Sequence, residues 1–453
     1  MDKMSVYNRL PVWGQNIACF IEGNRIKRTR YGKTFWRLLA EYEARSKWSY
    51  EQLCDYRNAK LRKIIHHCYD TVPYYRRLFN DGGINPDSIK TLEDLKALPI
   101  LTKQIVNANP NDFLSSAISQ DKMITAHTSG TTGSGFVFKT TQEAICEQWA
   151  VWWRYRRALG IEYGTWSANF GTRFIVPRRQ DKPPFWRYNT PCHQIYFSAF
   201  HENNTNMGSY VNEIINKNIR WIHGYPSLLA LLADYILSNK ISMPGQIDYV
   251  TIGAESLLEH QKRLLTEAFG VKPYQHYGLS EGVANFSENK NGEIIVDEDF
   301  AAVEFLYDSK TDTNRIIGTT LTNYAMPLLR WDTKDTASVT EDSYRGRLVA
   351  SIDGRVEDYI SLPDGTKIGK LDHVFKDTIH LREVQIYQNK NGSLTIFVTT
   401  DGTDVSSDIT LARKILSDSI GDILPVEFKI VDAIPSGKNG KLRFVTSEYN
   451  NVK

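Results

Sequence analysis

The sequence predicts an α/β protein with a large N-terminal domain of parallel or mixed sheets covered by helices, a β-rich subdomain and a small C-terminal α+β domain. Candidate strands and helices alternate between residues 210 and 270, which is typical of a parallel sheet covered by helices. From about residue 290, short apolar runs separated by turn signals indicate a β-rich region. A chain of 453 residues exceeds one ordinary domain. We place the boundary so that the domains are 1–353 and 354–453.

The first predicted elements are mainly helical. Apolar residues recur at helical spacing over 58–80 until Pro73 interrupts the pattern. A strand is predicted over 123–127, and a further helix follows residue 140. We assign the capping box of that helix to Thr140 and Glu143, because they have the required spacing.

The middle of the chain alternates between strand and helix. A helix is predicted over 210–218, followed by strand 221–225, helix 226–239, strand 247–253 and helix 256–269. Ligands of parallel sheets bind at the carboxyl ends of the strands, where the loops gather. The loops at residues 128, 253 and 278 are therefore expected to form one site.

The C-terminal part is predicted to be α+β. Asn391-Gly392 is a hairpin signal between two apolar runs, 384–387 and 394–398. A helix over 406–420 and a strand over 426–431 follow. We therefore expect a separate small unit in this region.

Composition indicates a soluble globular protein, with 41% hydrophobic and 24% charged residues. The net charge of +3 gives no reason to expect a nucleic-acid partner. No apolar run approaches the ~18 residues of a membrane span, and the N-terminus has no apolar signal core. Five scattered cysteines without a Cys-x-x-Cys pair indicate reduced thiols in a cytoplasmic protein. The expected partners are small molecules, with a homodimer left open.

A loop of hydroxyl side chains and glycines, Thr128 to Gly135, is the most informative segment. Glycines let backbone N–H groups turn toward an anion, and the hydroxyls add donors, so polyphosphate is the natural ligand. A solvated turn is the alternative interpretation. The loop is not a P-loop, because Phe136-Val137 stands where that motif needs Lys and Ser/Thr. Any lysine must come from elsewhere in the chain.

The segment Tyr277 to Gly282 has two interpretations. Gly278 to Gly282 matches the nucleophile elbow of serine hydrolases, with Ser280 as nucleophile. The other triad members would then be Asp332 or Asp335 and His373 or His380. No His-Gly-Gly stretch supplies an oxyanion hole for that chemistry. In the second interpretation Glu281 is a Mg²⁺ ligand and Ser280 contacts phosphate, since Mg²⁺ bound to nucleotides takes carboxylate oxygens.

Taken together, the motifs resemble those of the adenylate-forming enzymes, the acyl-CoA synthetases and their relatives. The segments that carry the resemblance are Thr128–Gly133, Gly253–Glu255, Tyr277–Glu281, Arg330–Asp335, Gly354–Asp358 and Pro435–Arg443. Val72–Arg76 and Leu92–Lys103 are similar to phenylacetate–CoA ligases. Three segments resemble the CapK branch, found in capsular polysaccharide loci, more closely still. They are Pro183–Asn189, Tyr196–Ser198 and His223–Ser227.

The resemblance implies an ATP-dependent, AMP-forming ligase that uses Mg²⁺. A substrate carboxylate attacks the α-phosphate of ATP, and the acyl-adenylate passes to CoA or, as an alternative, to an amine on a sugar or amino compound. The expected phosphate ligands are Thr128, Ser129, Gly130, Thr131, Thr132, Gly133 and Ser280. The adenine and ribose are assigned to Gly253, Ala254, Glu255, Tyr277, Gly278, Asp335 and Arg355. Glu281 is expected to hold Mg²⁺, and Lys441 is the expected catalytic lysine, with Lys438 as its competitor. A degenerate, non-catalytic binding protein is the remaining alternative.

The resemblance also implies a C-terminal domain that rotates between the half-reactions. Glu357 occupies the hinge position, where Asp or Lys is usual, and Lys334 stands where Gly is common. The acyl pocket is expected near Phe136, His223, Tyr225 and Pro226, with Trp149 and Trp152 interpreted as core residues. A basic character at Arg173, Arg178, Arg179 and Arg187 suggests an acidic sugar or another charged carboxylate.

Overall fold

The structure is a computed structural model. It describes residues 6–449, apart from 129–135, 172, 174, 178–179, 200, 202–203, 244, 310–312, 341–345, 356–359, 364–366, 369–370, 376–377, 379, 401, 421 and 435–442. For 204–205, 353–355, 367, 372–373, 382 and 418–419 it describes the backbone alone.

The α-helices of the described part fall mainly in the first 270 residues. They are α1 Val12–Arg30, α2 Lys33–Arg45, α3 Tyr50–Thr71, α4 Pro73–Asp81, α5 Lys103–Ala108, α6 Gln142–Leu159, α7 Asn204–Asn216, α8 Pro226–Ser238, α9 Glu259–Phe269 and α10 Ser406–Ile420. The helix predicted over 58–80 is two helices, because Val72 is extended before Pro73 and Pro73 begins a new helix. Helices α1 and α2 were not predicted.

The strands β1 to β7 lie between residues 124 and 252. They are β1 Ile124–His127, β2 Val137–Thr140, β3 Ser167–Gly171, β4 Trp186–Asn189, β5 Gln194–Ser198, β6 Trp221–Gly224 and β7 Tyr249–Ile252. The next strands are β8 Pro273–Gly278, β9 Asn285–Glu288, β10 Ile294–Val296, β11 Ala301–Asp308, β12 Thr313–Thr320, β13 Trp331–Val339 and β14 Leu348–Arg355. The last are β15 Ile360–Ser361, β16 Lys367–Ile368, β17 Leu381–Gln388, β18 Leu394–Thr400, β19 Val426–Ile430 and β20 Val445–Ser447.

One 12-stranded sheet runs through the large unit in the order β11-β12-β13-β14-β10-β9-β8-β7-β6-β3-β5-β4. Strands β5, β3, β6, β7 and β8 pair in parallel, and the other neighbours pair antiparallel. Helices α7, α8 and α9 connect successive parallel strands, so the predicted α/β fold class is confirmed. The carboxyl ends of β6, β7 and β8 consequently lie along one edge.

The helix after residue 140 begins one residue later than predicted. Thr140 is the last residue of β2 and pairs with Ile124. Thr141 is the N-cap instead, and its hydroxyl accepts a hydrogen bond from the backbone N–H of Ala144 at 3.2 Å. The capping box at Thr140 and Glu143 was therefore wrong, because Thr140 is held in the β1–β2 hairpin.

The C-terminal unit has its own sheet and core. Strands β19, β18, β17 and β20 form a four-stranded sheet with parallel outer pairs. Its buried apolar residues run from Ile360 to Val445 and include Leu416 on α10. Strand β14, which ends at Arg355, still belongs to the large sheet. The domain boundary at residue 353 and the mobility of the small domain stay predictions.

Candidate active site

The predicted phosphate loop connects the two strands of a hairpin. Strands β1 and β2 pair antiparallel from Ile124↔Thr140 to His127↔Val137. Beyond them the backbone N–H of Thr128 donates to the Phe136 carbonyl at 2.9 Å, and the Thr128 hydroxyl accepts from the Phe136 N–H at 2.9 Å. These bonds close the base of the loop. Ser129, Gly130, Thr131, Thr132 and Gly133 lie outside the described residues.

A cavity of about 400 Å³ lies next to this hairpin, at the carboxyl ends of β7 and β8. Residues from both units contribute to its wall. Those of the large unit include Thr128, Trp152, Ser227, Gly253, Ala254, Glu255, Gln275, His276, Tyr277, Gly278, Ser280, Glu281, Thr333 and Asp335. The small unit contributes Val384, Arg443 and Phe444. The cavity therefore brings together predicted residues from three separate loops and one distant strand.

Tyr277 and Asp335 form a buried pair in the cavity wall. The Tyr277 hydroxyl donates to Oδ2 of Asp335 at 2.8 Å, and the Tyr277 ring stacks on Phe286 with centroids 4.8 Å apart. Burial and the Asp335 carboxylate raise the pKa of Tyr277 well above its usual value, so the hydroxyl stays protonated and remains a donor. Arg355 is the cross-strand neighbour of Asp335 in the β13–β14 register. The structure describes only the backbone of Arg355.

The segment Gly253–Glu255 is held against the start of α8. Oε2 of Glu255 accepts from the Ser227 N–H at 3.2 Å and from the Ser227 hydroxyl at 2.8 Å. Ser227 is in the first turn of α8, where backbone N–H groups lack helical partners and a carboxylate is favoured. Ala254 has a φ of 70°, which turns the backbone sharply after β7. The segment therefore presents its backbone along the cavity.

Glu281 and Ser280 differ in exposure. Glu281 is 9% exposed and lines the cavity, whereas Ser280 is exposed. No described histidine hydrogen-bonds to Ser280. Asp332 is paired with Arg315 at 2.6 Å and Lys334 at 2.9 Å, and Asp335 is engaged by Tyr277. The described residues therefore assemble no Ser-His-Asp triad for the hydrolase alternative.

The residues predicted for the acyl pocket lie outside the lining of this cavity. Phe136 is 2% exposed and packs in a core, 4.6 Å from the Trp331 ring. Pro226 is the first residue of α8, and Tyr225 precedes it. His223 is the third residue of β6, and its Nδ1 is 2.9 Å from the Thr251 hydroxyl. Trp152, interpreted from the sequence as core, does line the cavity, and its Nε1 donates to Asn285 at 2.8 Å.

Two histidines near the cavity are neutral at physiological pH. Burial and the nearby Arg156 guanidinium lower the pKa of His223 and of His276 to about 3. His276 stands on β8 between the rings of Trp152 and Tyr155, at centroid distances of 5.4 and 5.1 Å. Positive charge on this side of the cavity therefore comes from arginine.

Glu383 lies where β17 of the small unit packs on α8. It is 9% exposed. Burial, with smaller contributions from the carboxylates of Glu255 and Asp234, raises the pKa of Glu383 to about 7. The contact between the two units thus carries a carboxyl group that titrates near neutrality.

The remaining predictions fall in the segments that the structure does not describe. Glu357, Lys438 and Lys441 lie in these segments. Their expected roles stay predictions. Arg443, two residues after Lys441, is described and lines the cavity.

Sequence reasoning missed Ser227, Gln275, His276 and Val384 as cavity residues. A partial signal existed for His276 and Gln275, because they directly precede the Tyr277 motif on the same strand. Ser227 follows Pro226 at a helix start, which is where a free N–H group attracts an acceptor. No local signal identifies Val384, since it reaches the cavity only through the packing of two units.

The chain is similar to known proteins in sequence and in fold. Residues 360–448 match the family model of the CapK C-terminal domain. Protein CapK of Staphylococcus aureus is 24% identical over 99% of both chains. A phenylacetate-coenzyme A ligase of Pseudomonas putida is 25% identical over 76% of this chain and 80% of its own. None of the described helices has both the length and the hydropathy of a membrane span.

Solved structures share the fold at low identity. A 2-hydroxyisobutyryl-CoA ligase in the postadenylation state, in complex with R3-HIB-AMP, superposes with a TM-score of 0.67 at 16% identity, covering 86% of this chain and 89% of that one. An anthranilate CoA ligase, AuaEII, in complex with anthranoyl-AMP gives a TM-score of 0.50 at 11% identity, with 85% and 79% covered. The chain is therefore a homologue of CapK and of the phenylacetate-coenzyme A ligases, with the fold of the adenylate-forming CoA ligases.

Proposed function

We propose that this protein is an ATP-dependent, AMP-forming ligase that activates a carboxylic acid as an acyl-adenylate and transfers the acyl group to CoA. The observation that carries the proposal is the convergence of Thr128, Glu255, Tyr277, Glu281 and Asp335 on one cavity. The names of the phenylacetate-coenzyme A ligase relatives support the acid and the thiol as substrates.

The adenosine moiety fits the Tyr277–Asp335 side of the cavity. Asp335 is a buried carboxylate oriented by a tyrosine hydroxyl, and carboxylates accept hydrogen bonds from vicinal ribose hydroxyls. The Tyr277 ring and the backbone of Gly253–Glu255 offer a flat surface and polar atoms for adenine. Arg355 would assist at the ribose from the neighbouring strand.

The phosphates fit the Thr128 side. Thr128 reaches the cavity at the base of the loop, so the loop's hydroxyls and N–H groups would hold the β- and γ-phosphates, with Ser280 at the phosphate chain. No group of three or more metal-ligating side chains occurs in the described part of the chain. Glu281 would therefore be one protein carboxylate on a Mg²⁺ ion whose other ligands are phosphate oxygens and water, as is usual for this ion. When bound, Mg²⁺ would neutralise phosphate charge.

The chemistry has two steps. A carboxylate oxygen of the acid bonds to the α-phosphorus, and pyrophosphate leaves. The CoA thiolate then attacks the acyl carbon, and AMP leaves with the carboxylate oxygen. Negative charge grows on phosphate oxygens in the first step, so a cation is needed there. Lys441 would supply it, which is supported by the position of Arg443 in the cavity wall. Glu357 would be the hinge about which the small domain rotates between the steps.

The location and pathway are also part of the proposal. All five cysteines are free thiols, which supports a cytoplasmic enzyme. The likeness to CapK supports a role in polysaccharide biosynthesis, and a homodimer stays an expectation.

The experiment is ATP–pyrophosphate exchange measured with a panel of aryl acids, amino acids and uronic acids. Exchange reports the first step without an acceptor. We expect exchange that depends on one class of acid and that Glu281→Ala and Lys441→Ala each abolish. Acid-independent hydrolysis of ATP, or labelling of Ser280 by a fluorophosphonate, would contradict the proposal. Transfer to an amine instead of CoA would keep the adenylation step and correct the acceptor.

A further inference from the structure

Two arginine side chains, Arg30 and Arg156, lie over tryptophan rings of the large unit, and neither pairs with a carboxylate of the described residues. Arg30, the last residue of α1, has its guanidinium carbon 4.3 Å from the Trp149 ring centroid. Arg156, in the last turn of α6, lies over three rings, with the nearest two, Trp153 and Trp221, at 5.1 and 5.2 Å. Throughout the described part of the chain, neither guanidinium forms an ion pair or a hydrogen bond.

The neighbouring arginines of α6 do form ion pairs, so the lack of one at Arg156 is unusual for this helix. Arg154 pairs with Asp297 at 2.7 Å and Asp299 at 2.8 Å. Arg157 pairs with Glu43 at 3.0 Å and Glu162 at 3.5 Å. Burial lowers the pKa of Arg30 and of Arg156, although both stay protonated. Both side chains are half-buried, and a partly desolvated guanidinium without an anionic partner is costly, so their surroundings favour an anionic ligand.

The surroundings add positive charge. Arg173 is exposed, donates to the Tyr196 hydroxyl at 3.1 Å and is within electrostatic reach of Arg30. The carboxylate of Glu22 also acts on Arg30 and Arg173, but it is exposed and pairs with Arg25 at 2.5 Å. The charge of Arg30 is therefore not neutralised by a direct contact.

A row of rings links these arginines to the cavity. The centroids of Trp149 and Trp152 are 4.8 Å apart, and Trp152 is 5.4 Å from His276. Trp152 and His276 both line the cavity. Polar atoms along this row also lack partners, since Nε2 of His276 and the hydroxyl of Tyr155 are buried without a hydrogen bond to any described residue. Tyr155 is 5% exposed.

We propose that the acid substrate carries a second anionic group, which Arg156 and Arg30 bind while its reacting carboxylate faces the cavity. This inference rests on the proposed ligase function. A guanidinium presents a planar set of donors that matches a carboxylate, phosphate or sulfate group, and the tryptophan rings would cover the apolar part of the acid. The substrate class is thus a dianionic carboxylic acid.

The test compares matched acids that differ by one anionic group, such as glutarate with butyrate and 4-carboxyphenylacetate with phenylacetate. ATP–pyrophosphate exchange gives kcat/KM for each acid. We expect the wild type to prefer a dianionic member. Arg156→Met should reduce exchange with that acid by ~10- to 100-fold, the usual effect of losing hydrogen bonds to a charged group, and change the monoanionic acid and the KM for ATP little.

Arg157→Met is the matched control, because it removes an arginine one residue away whose partners are on the protein surface. It should leave the preference unchanged. Arg30→Met, at the end of α1, is a second test variant. Urea unfolding verifies that each variant is folded. Equal loss for both acids, no dianionic preference in the wild type, or an effect on the KM for CoA alone would overturn the proposal.

A binding measurement separates this proposal from the proposed function. Calorimetric titration of the nucleotide-free protein with the dianionic acids needs no turnover. If a dianionic acid binds, Arg156→Met abolishes that binding and no acid supports exchange, the anion site is retained and the ligase function is refuted. If only monoanionic acids support exchange, the ligase function is retained and the anion site is refuted.

Discussion

Replacing Asp335 by alanine tests the nucleotide assignment most sharply. The Asp335 carboxylate is 9% exposed and is oriented by the Tyr277 hydroxyl at 2.8 Å. A hydrogen bond to a charged group contributes about 1.5–3 kcal/mol. If Asp335 accepts one such bond from a ribose hydroxyl, its loss raises the KM for ATP by roughly 10- to 150-fold, since 1.4 kcal/mol is tenfold. The KM for the acid should not change.

The assay is ATP–pyrophosphate exchange with ATP and with its 2′- and 3′-deoxy analogues. The wild type should discriminate against an analogue by the same ~10- to 150-fold, whereas Asp335→Ala should use ATP and that analogue about equally. Tyr277→Phe is the companion variant, because it retains the ring stacked on Phe286 and removes the orienting hydroxyl. It should lose part of the discrimination. Full discrimination in Asp335→Ala would refute the ribose assignment, because a purely structural role would not remove it.

Further variants test packing and electrostatics. Arg154→Met should lower the free energy of unfolding by ~3–5 kcal/mol, because it removes the arginine paired with the nearly buried Asp297, whereas Asp299 keeps Arg45. The more exposed Arg157→Met should cost less than ~1 kcal/mol, and equal effects in urea titrations would contradict this. Burial holds the pKa of Glu383 at about 7 in the folded state, above its ordinary 4.5, so stability falls by up to ~3 kcal/mol as pH rises from 4.5 through 7. Glu383→Gln should flatten that profile between pH 5 and pH 8, and an unchanged slope would argue against the raised pKa. Gly278→Ala would bring a Cβ within 2.8, 2.9 and 3.0 Å of three side-chain atoms at the cavity, so we expect at least ~10-fold weaker ATP use; wild-type kinetics would show that the wall adjusts freely.

The part of the parallel sheet from β6 to α9 was predictable because its signals are local, whereas the parallel strands β3, β5 and β8 were not predicted. The strand at Trp221–Gly224 and the helix at Pro226–Ser238 are apolar segments bounded by a proline and turn residues, and both occur within a residue of the predicted bounds. Their alternation implies a parallel sheet, and the carboxyl ends of such strands identify the edge where the motifs meet. The edge where the loops at residues 253 and 278 meet was thus predictable from order and spacing, whereas the roles expected of the residues there came from the family resemblance.

The rest depends on packing between distant segments. Helix α1 leaves Trp13 and Ile21 exposed at 69% and 64%, so its apolar residues form no stripe that marks a buried face. The placement of Arg30 next to Trp149 follows from how α1 packs on α6, which no short window of sequence records. The joining of the antiparallel strands to the parallel ones in a single sheet is likewise a matter of long-range pairing.

Phe136 also shows that packing between distant segments cannot be predicted from a local motif. Its position next to the phosphate loop suggested a substrate contact, but the hairpin directs it toward Phe138 and Trp331 in a core. Glu255 shows the reverse case. This residue, predicted on the adenine side, accepts hydrogen bonds from Ser227 at the start of α8. The edge proposed for the nucleotide is therefore joined to the helix that contacts the small unit.

The central claim is that an acyl-adenylate forms, and isotope transfer tests it directly. The measurement uses the acid that supports exchange, labelled with ¹⁸O in its carboxylate, with ATP and CoA, followed by mass spectrometry of the nucleotide product. Attack of the carboxylate on the α-phosphate predicts one ¹⁸O atom in each AMP released. Label in inorganic phosphate, or AMP without label, would contradict the proposed chemistry.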